Sequence, residues 1–290
     1  MSAAKADPKQ AKDAPAREPN WFRDELPGLA VAVGIALLIR TFVFQTFYVP
    51  SESMVPTLLI GDHVFVNKFV YGAQAPGVDS RLPAVREPER GEVVVFRFAR
   101  GFGGDIFPPD QHRELPTENF VKRLVAIPGD RVAYQKERLI LNGEPVPLED
   151  TGLEYVAADG IARDLLIETL GDCRHYILDQ PDYKPRQDVS EFIVPEDRYL
   201  FMGDNRDNSK DGRWAGTVDK AALAGPAGLN YWSWDWNGTW LSLLNPLTWI
   251  DNLVNKMRWE RMGGFVECFP PGETPELVGA TKRALRAEKP

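Results

Sequence analysis

Two serines separated by one residue lie in a short segment bounded by prolines, Pro-Ser-Glu-Ser-Met-Val-Pro-Thr-Leu at residues 50–58. Each proline fixes its own φ and disfavours helix at the residue before it, so this backbone is expected to be extended. Residues two apart in an extended chain point to the same side, which would bring the hydroxyls of Ser51 and Ser53 to one spot. A serine becomes a nucleophile only beside a base. On its own, the segment fits a solvated turn equally well.

A candidate base is Lys122, in an apolar stretch at residues 119–127 that predicts a β-strand. On strand alternation, Lys122 shares a face with Phe120 and Leu124. Burial disfavours an ammonium group, so such a site can lower a lysine pKa from about 10.4 towards 7–8, where the amine accepts a proton. Arg123 points to the opposite face. It cannot serve as the base because a guanidinium stays protonated.

The third chemical segment is the loop at residues 203–213, Gly-Asp-Asn-Arg-Asp-Asn-Ser-Lys-Asp-Gly-Arg, which follows a predicted strand at 198–202. Its Asn and Asp side chains can bond their own backbone, as in Asx turns. By composition alone it resembles a solvated surface loop. We expect Arg123 to pair with one of its acids, Asp204 or Asp211.

The N-terminal part of the chain predicts a membrane anchor. Residues 1–20 have the composition of a disordered tail. The apolar run at 26–39 is shorter than the roughly 20 residues that a bilayer span needs, but apolar residues resume after Arg40 and continue to Tyr48. We therefore expect a cytoplasmic tail at 1–25 and one transmembrane helix at 26–48.

Two features decide the orientation and fate of this anchor. Five basic residues precede it, which predicts a cytoplasmic N-terminus and an extracytoplasmic remainder. They are Lys5, Lys9, Lys12, Arg17 and Arg23. A cleaved signal peptide is the alternative, but no A-x-A-like site follows the apolar run, which favours a retained anchor.

Composition narrows the function classes. A formal net charge of −8 and a pI near 5.1, with no basic stripe, argue against a nucleic-acid partner. Cys173 and Cys268 form no CxxC motif and leave a disulfide open. The three histidines share no metal-ligand spacing, so neither a metal nor a cofactor is expected.

The rest of the chain predicts short strands and turns. Strands are expected at 58–71, around a turn at Gly61, and at 92–98, with a long loop at 99–118. Residues 139–141 before Asn142-Gly143 predict a hairpin, and 192–194 another strand. No chemistry-bearing cluster is evident between 131 and 194. A Trp-rich segment at 231–262 is typical of a membrane interface or a packed domain edge, and 263–290 reads as a loosely ordered tail.

Taken together, these blocks resemble bacterial type I signal peptidases. The likeness covers residues 40–225 and consists of the serine segment, Val93-Val-Val-Phe96, Val121-Lys-Arg123 with Pro128-Gly-Asp130, and Gly203 to Ser209, in that order. Two departures exist. Position 212 is Gly where the family often has Ser, and one membrane segment is expected where well-known members have two.

The resemblance implies a mostly antiparallel β fold, with a catalytic core at 49–230 and a smaller β domain inserted at 133–194. It also implies the removal of signal peptides by a Ser–Lys pair, a variant of triad chemistry. Ser53 would be the nucleophile, Lys122 the general base, and Ser51 an oxyanion donor together with the backbone N–H of Ser53. Ser209 would orient Lys122. The expected supporting residues are Ser209, Arg123, Asp204, Asp211 and Arg213.

Substrate recognition in that family uses an extended peptide, here between residues 47–50 and 119–121, with small pockets for Ala-like side chains. The candidate substrate-binding residues are Phe47, Tyr48, Val49, Pro50, Met54, Leu58, Asn119, Phe120 and Val121. The expected partners are preproteins with A-x-A-type signal peptides and membrane lipid. The expected location is the bacterial cytoplasmic membrane, with the catalytic domain on the outer, periplasmic side.

Four alternatives remain open at this stage. A Ser–His–Asp hydrolase would use His63 or His175, but no G-x-S-x-G motif is present. A penicillin-binding-type enzyme needs S-x-x-K, which is absent around Ser53. Repressor-type self-cleaving proteases are soluble and carry a DNA-binding domain that we do not find. A membrane-anchored, Trp-rich envelope binding protein without peptidase activity is the alternative outside enzymes.

Overall fold

The computed structural model describes residues 25–74, 81–157, 159–180, 188–235, 254, 256–266, 268–270, 273, 277 and 285–287. The chain divides into two units, Met1–Arg40 and Thr41–Pro290. Helix α1, Leu26–Phe42, has no buried residue. No helix among the described residues combines the length and the apolar character needed to cross a bilayer. The second unit is built almost entirely from antiparallel strands, which confirms the predicted mostly-β class.

The main sheet of the second unit has nine strands among the described residues. They are β1 Phe44–Tyr48, β2 Asp62–Asn67, β3 Val93–Arg100, β4 Ile106–Phe107, β5 Thr117–Ala126, β13 Arg198–Met202, β14 Val218–Asp219, β15 Leu223–Ser233 and β16 Gly264–Phe265. The order across the sheet is β1-β2-β15-β3-β5-β13-β14, with β4 on β3 and β16 on β15. Val-, Ile- and Phe-rich segments such as Val93–Arg100 form its centre because β-branched and aromatic side chains pack well on a pleated surface.

Two four-stranded sheets are built from the chain between β5 and β13. One contains β6 Arg131–Gln135, β7 Arg138–Leu141, β8 Glu144–Pro145 and β12 Val189–Ile193. The other contains β9 Leu148–Val156, β10 Ala162–Leu170, β11 Cys173–Asp179 and, from the end of the chain, β17 Leu285–Ala287. The expected hairpin forms between β7 and β8, where Asn142 and Gly143 both have the positive φ that a tight turn requires.

Strand β5 is the element that positions the site. It runs antiparallel to β3, with Lys122 opposite Val94 and Phe120 opposite Phe96. On its other edge β13 pairs only from Arg123 onward. The half of β5 at 117–122 therefore has no strand partner on that edge among the described residues. From Lys122 to Ala126 every residue is buried, because apolar clusters cover both faces of the sheet there.

Two sequence expectations about boundaries need correction. Residues 44–48 were included in the membrane helix, but α1 ends at Phe42 and these residues pair with β2. The described parts of the tail at 263–290 are paired rather than loose: β16 lies on β15 and β17 on β9. In both cases strand partners satisfy the backbone hydrogen-bonding groups. Within the Trp-rich segment, Tyr231 and Trp232 belong to β15 and Trp232 contacts Trp234. Trp236, Trp240 and Trp249 lie outside the described residues.

Candidate active site

Ser53 lies in a single 3-10 turn, Glu52–Met54, between the two prolines. Its neighbour Met54 is fully buried in the core beneath the sheet, which anchors the turn, and Ser53 itself is only 7% exposed. The Ser53 carbonyl accepts a hydrogen bond from the backbone N–H of Asn205, 3.2 Å away. The Ser51 hydroxyl lies 3.2 Å from the Ser53 hydroxyl. The turn thus holds both hydroxyls together, but the predicted extended backbone is wrong at Ser53, which lies in a 3-10 turn.

Lys122 reaches Ser53 from β5, and its Nζ donates a hydrogen bond to Ser53 Oγ. The side chain is 3% exposed, and none of the ion pairs between described residues includes it. Burial lowers the pKa of Lys122 to about 8, against the opposing attraction of Asp211 and Asp204. A large share of these amines is therefore neutral near pH 8 and able to accept a proton.

Arg123, the next residue, points away from Ser53 and forms a buried two-pronged ion pair with Asp204. Its Nε donates to Asp204 Oδ1 at 2.8 Å and its Nη2 to Oδ2 at 2.7 Å. Thr57 completes the cluster by donating its hydroxyl hydrogen to Asp204 Oδ2 at 2.5 Å. Burial alone would raise the pKa of the Asp204 carboxyl, but Arg123, His175 and Thr57 together hold it below its usual value. Of the two acids proposed for Arg123, the structure selects Asp204.

The second acid, Asp211, binds Arg213 and the backbone of its own loop. Arg213 donates through Nε and Nη2 to the Asp211 carboxylate at 2.9 and 2.8 Å, and the Gly203 N–H donates to it at 2.9 Å. Burial opposes ionisation of Asp211, yet Arg213, Gly203 and the hydroxyl of Ser209 together lower its pKa. Ser209, 2% exposed, is thereby tied to Asp211. These contacts make the loop a fixed structure rather than a solvated one.

Close packing behind Ser53 explains a glycine at position 203. A Cβ at Gly203 would lie 2.3 Å from Ser209 Oγ and 2.5 Å from the Ser53 carbonyl oxygen. Any side chain there would push the loop away from the serine segment. At Gly212, the departure from the family pattern, a Cβ would lie 2.8 Å from the Phe201 carbonyl oxygen. A serine at 212 therefore requires a shift of β13 or of the loop.

Sequence reasoning missed a buried polar cluster that comes from β10 and β11. Glu168, 1% exposed, accepts hydrogen bonds from Arg206 Nη1 at 2.7 Å and Nη2 at 2.5 Å. His175 Nε2 lies 3.2 Å from the same carboxylate, and Arg206 Nε donates to the Gly203 carbonyl at 3.0 Å. The expectation of no chemistry-bearing cluster between 131 and 194 did not anticipate this buried ion pair. The one local signal that marks Glu168 is that Leu166 and Leu170, two residues away on either side in β10, are both apolar.

The backbone joins the same two regions. The Leu178 N–H of β11 donates to the Asp204 carbonyl at 2.8 Å, and the Gln180 N–H donates to the Asp207 carboxylate at 2.7 Å. A disulfide links Cys173 of β11 to Cys268, with their Cα atoms 4.9 Å apart. The sequence left this disulfide open. These contacts attach the inserted strands and a C-terminal segment to the loop that carries Asp204.

A cleft of about 140 Å³ adjoins Ser51 and Lys122. Of the expected substrate-binding residues, it is lined by Phe47, Tyr48, Val49, Pro50, Asn119, Phe120 and Val121. One side of the cleft is formed by the end of β1 and the segment at 49–51. The other side is formed by the part of β5 at 118–122. The structure corrects two members of the expected set. Met54 and Leu58 are fully buried in the core and line no part of this cleft, because they point inward from their turn.

The histidines do not contact Ser53. His175 is buried against Glu168, and His63 lies with its ring 5.2 Å from that of Tyr48. Burial lowers the pKa of both imidazoles. Within the described residues, no group of His, Cys, Asp and Glu side chains is arranged to hold a metal ion. The basic side chain that contacts Ser53 is that of Lys122.

A buried serine–lysine pair, backed by two arginine–carboxylate pairs and open to a small cleft, defines a class of hydrolase site, and comparison with known proteins gives the family. Residues 23–232 match the family model described as "Signal peptidase, peptidase S26". The chain therefore belongs to the peptidase S26 signal peptidase family.

Individual relatives agree with this assignment. Signal peptidase I of Pseudomonas aeruginosa is 38% identical over 181 residues, which cover 62% of this chain and 58% of that protein. Signal peptidase I of Haemophilus influenzae is 29% identical over 251 residues, which cover 76% of this chain and 71% of that protein. This chain thus matches only about 58% of the length of the Pseudomonas relative. A crystal structure of a signal peptidase I from Enterococcus faecalis V583 covers 49% of this chain and 98% of its own, at 23% identity and a TM-score of 0.30.

Proposed function

We propose that this protein is a serine endopeptidase that removes signal peptides from preproteins by means of a Ser53–Lys122 dyad. One observation carries the proposal: the buried amine of Lys122, which has no carboxylate partner among the described residues, is hydrogen-bonded to the Ser53 hydroxyl. A lysine activates a serine only when it is neutral. Burial without a counter-ion is the condition that favours the neutral amine.

The proposed reaction follows from these positions. With Lys122 neutral, the Ser53 hydroxyl donates its hydrogen to Nζ, and Oγ attacks the carbonyl carbon of the scissile peptide bond. The negative charge on the carbonyl oxygen is stabilised by the Ser51 hydroxyl and the backbone N–H of Ser53. Lys122, now protonated, gives its proton to the leaving amine, and an acyl-enzyme on Ser53 remains. A water molecule, deprotonated by the same amine, then releases the signal peptide and restores Ser53.

The supporting residues act through position. Arg123 and Asp204 hold the start of the loop beside Thr57, and Asp211 with Arg213 holds Gly203 against the Ser53 carbonyl. Ser209 lies close to Gly203. We infer that Ser209 orients Lys122, as the family resemblance implies. Both carboxylates carry their own arginine, so neither is left to form an ion pair with the lysine.

Substrate selection is proposed to occur in the cleft between β1 and β5. Both the β1 edge and the 117–122 edge of β5 offer backbone hydrogen-bonding groups to an extended peptide. The cleft is small and its inner lining includes Val49, Val95 and Val121. Such a cavity favours Ala-like side chains near the cut, as in A-x-A-type signal peptides.

Membrane attachment is part of the proposal. We infer that α1 anchors the protein in the bacterial cytoplasmic membrane, with residues 1–25 inside and the catalytic unit on the outer side. The support is the apolar composition of α1 and the five basic residues that precede it. Protease added to intact spheroplasts is expected to digest the catalytic unit and spare a short N-terminal fragment. Protection of the catalytic unit contradicts this orientation.

The direct test of function is a cleavage assay with the detergent-solubilised full chain, a preprotein and mass mapping of the products. We expect one cut after a small residue and loss of that cut in Ser53→Ala, with an unchanged unfolding midpoint. The alternative of a Trp-rich envelope binding protein predicts intact preprotein with either chain. Cleavage by Ser53→Ala at the wild-type rate removes the dyad proposal.

A further inference from the structure

A second cavity, of about 230 Å³, lies beside the substrate cleft and is unusually basic. We name it the basic pocket and define it by Lys68, Arg81 and Arg97, with Gln45, Phe47 and Asn119 on its wall. Phe47 and Asn119 also line the substrate cleft, so the two cavities share a wall. None of the described residues that line the basic pocket is acidic. Nothing in the proposed dyad chemistry uses these cations.

Among the described residues, the hydrogen bonds of the three cations of the basic pocket go to neutral carbonyl acceptors. Lys68 Nζ donates to the Thr41 carbonyl at 2.7 Å. Arg81 Nη2 donates to the carbonyls of Ala221 and Leu223 at 2.6 and 2.9 Å, and Arg97 Nη2 reaches the same Ala221 carbonyl at 3.5 Å. Two guanidinium groups therefore share one carbonyl oxygen. No ion pair between described residues includes any of the three.

The cations of the pocket repel one another. Burial lowers the pKa of Lys68, and the charge of Arg81 lowers it further. Burial and the charge of Arg97 likewise lower the pKa of Arg81, against the opposing attraction of Asp219. Elsewhere the more buried arginines have carboxylate partners, as Arg123, Arg206 and Arg261 do. In a chain with a net charge of −8, three adjacent cations with no ion pair to any described residue stand out.

We propose that the basic pocket binds a phosphate-class anion, either free phosphate or the phosphate of an anionic lipid headgroup. Three positive charges around one cavity match a multiply charged tetrahedral anion better than a single carboxylate. The side-chain amides of Gln45 and Asn119 add donors to the guanidinium and ammonium groups. Lys68 donates to the carbonyl of Thr41, which lies close in sequence to the apolar run at 26–39, so a lipid headgroup is one source of such a phosphate.

Binding is tested by the thermal unfolding of the full chain in detergent, titrated with inorganic phosphate at constant ionic strength against chloride. Saturating phosphate is expected to raise the unfolding midpoint by about 5 °C, because a ligand that binds only the folded state stabilises it. Arg97→Gln is the main variant, since Arg97 is exposed and has one long hydrogen bond. It is expected to weaken phosphate binding about tenfold, the loss of one charge-assisted contact.

Arg131→Gln is the matched control, because it removes the same charge from an exposed arginine on β6, in another sheet. It is expected to leave phosphate binding unchanged. A second pocket variant, Lys68→Gln, is expected to resemble Arg97→Gln. Equal responses of Arg97→Gln and Arg131→Gln overturn the proposal, because the effect is then one of general charge.

The source of the anion is distinguished by reconstituting the same proteins into vesicles of phosphatidylglycerol or phosphatidylcholine. A pocket-dependent rise in phosphatidylglycerol alone identifies a lipid headgroup, and a rise with inorganic phosphate in detergent identifies a free anion. If wild type responds to neither, the basic pocket is not an anion site. The readout is binding, so it stands or falls separately from peptidase activity.

Discussion

Lys122 and Arg123 are neighbours in one strand, equally buried and both basic, yet the structure treats them in opposite ways. Arg123 is 1% exposed and donates two hydrogen bonds to the Asp204 carboxylate. Lys122 is 3% exposed and meets a serine hydroxyl instead of a carboxylate. Successive side chains of a strand point to opposite faces of the sheet. Two consecutive cations therefore have different surroundings.

The two cations differ in kind as well as in partner. A guanidinium stays protonated in proteins, and its carboxylate partner offsets the cost of burying that charge, whereas the charge state of a lysine depends on its surroundings. An unpaired buried ammonium loses its hydration without compensation, so its pKa falls, here to about 8. Asp204 and Asp211 still attract the Lys122 charge, but each is bound to its own arginine. The two ion pairs thus protect the neutral state of the base.

The largest loss of cleavage is expected when Lys122 is replaced by arginine, the residue type of its neighbour Arg123. Lys122→Arg keeps a positive charge but provides no proton acceptor near neutral pH. Cleavage should fall by a factor of about 10⁴ or more, as for the loss of a catalytic-triad member. Initial rates on a preprotein measure this. Substantial cleavage by Lys122→Arg at pH 7 excludes lysine as the base.

Removing the carboxylate partner of Arg123 should instead lower the free energy of unfolding. Asp204→Asn leaves Arg123 buried without its counter-ion, which costs about 3–5 kcal/mol of unfolding free energy. Urea unfolding of the full chain in detergent, followed by tryptophan fluorescence, measures the change.

The matched control is Glu149→Gln. Glu149 pairs with Arg174 but is 66% exposed, so the expected cost is at most about 1 kcal/mol. Similar losses in the two variants contradict the view that burial makes the Arg123–Asp204 pair different.

A substitution at Ser51 tests the proposed oxyanion donor and leaves Lys122 unchanged. Ser51→Ala is expected to lower kcat about 10²–10³-fold, with little change in KM, by removing one oxyanion donor. Ser51→Thr retains the hydroxyl and should recover most of the loss. A wild-type kcat for Ser51→Ala makes Ser51 a simple turn residue.

The smallest effect is the pH dependence of the wild-type enzyme. Burial lowers the pKa of Lys122, so the active, neutral amine is the form present above about pH 8. kcat/KM should fall roughly fivefold from pH 8 to pH 7 and about tenfold for each further unit. The unfolding midpoint, recorded at each pH, separates titration from loss of fold. A profile that is flat from pH 6 to 9 shows that no group with a pKa near 8 controls the step.

Much of the site is readable from local pattern. The paired prolines predict an extended serine segment, but Ser53 lies in a 3-10 turn. The apolar alternation of β5 does predict a dry Lys122 with Arg123 on the other face, and it is a property of a few consecutive residues. The strand at β3 and the Asn142-Gly143 turn follow from local preferences in the same way.

Other features depend on contacts far apart in the chain. Ser53 and Lys122 are 69 residues apart, Arg123 and Asp204 are 81 apart, and Glu168 and Arg206 are 38 apart. The sequence offers Arg123 two acids, and only the docking of β13 against β5 selects Asp204. The inward direction of Met54 and Leu58, the Cys173–Cys268 disulfide and the basic pocket are likewise products of sheet order. Local periodicity determines which way a side chain points from its own strand. Which charges then meet it depends on how distant strands are paired, and the electrostatic energy of a buried group depends on those partners.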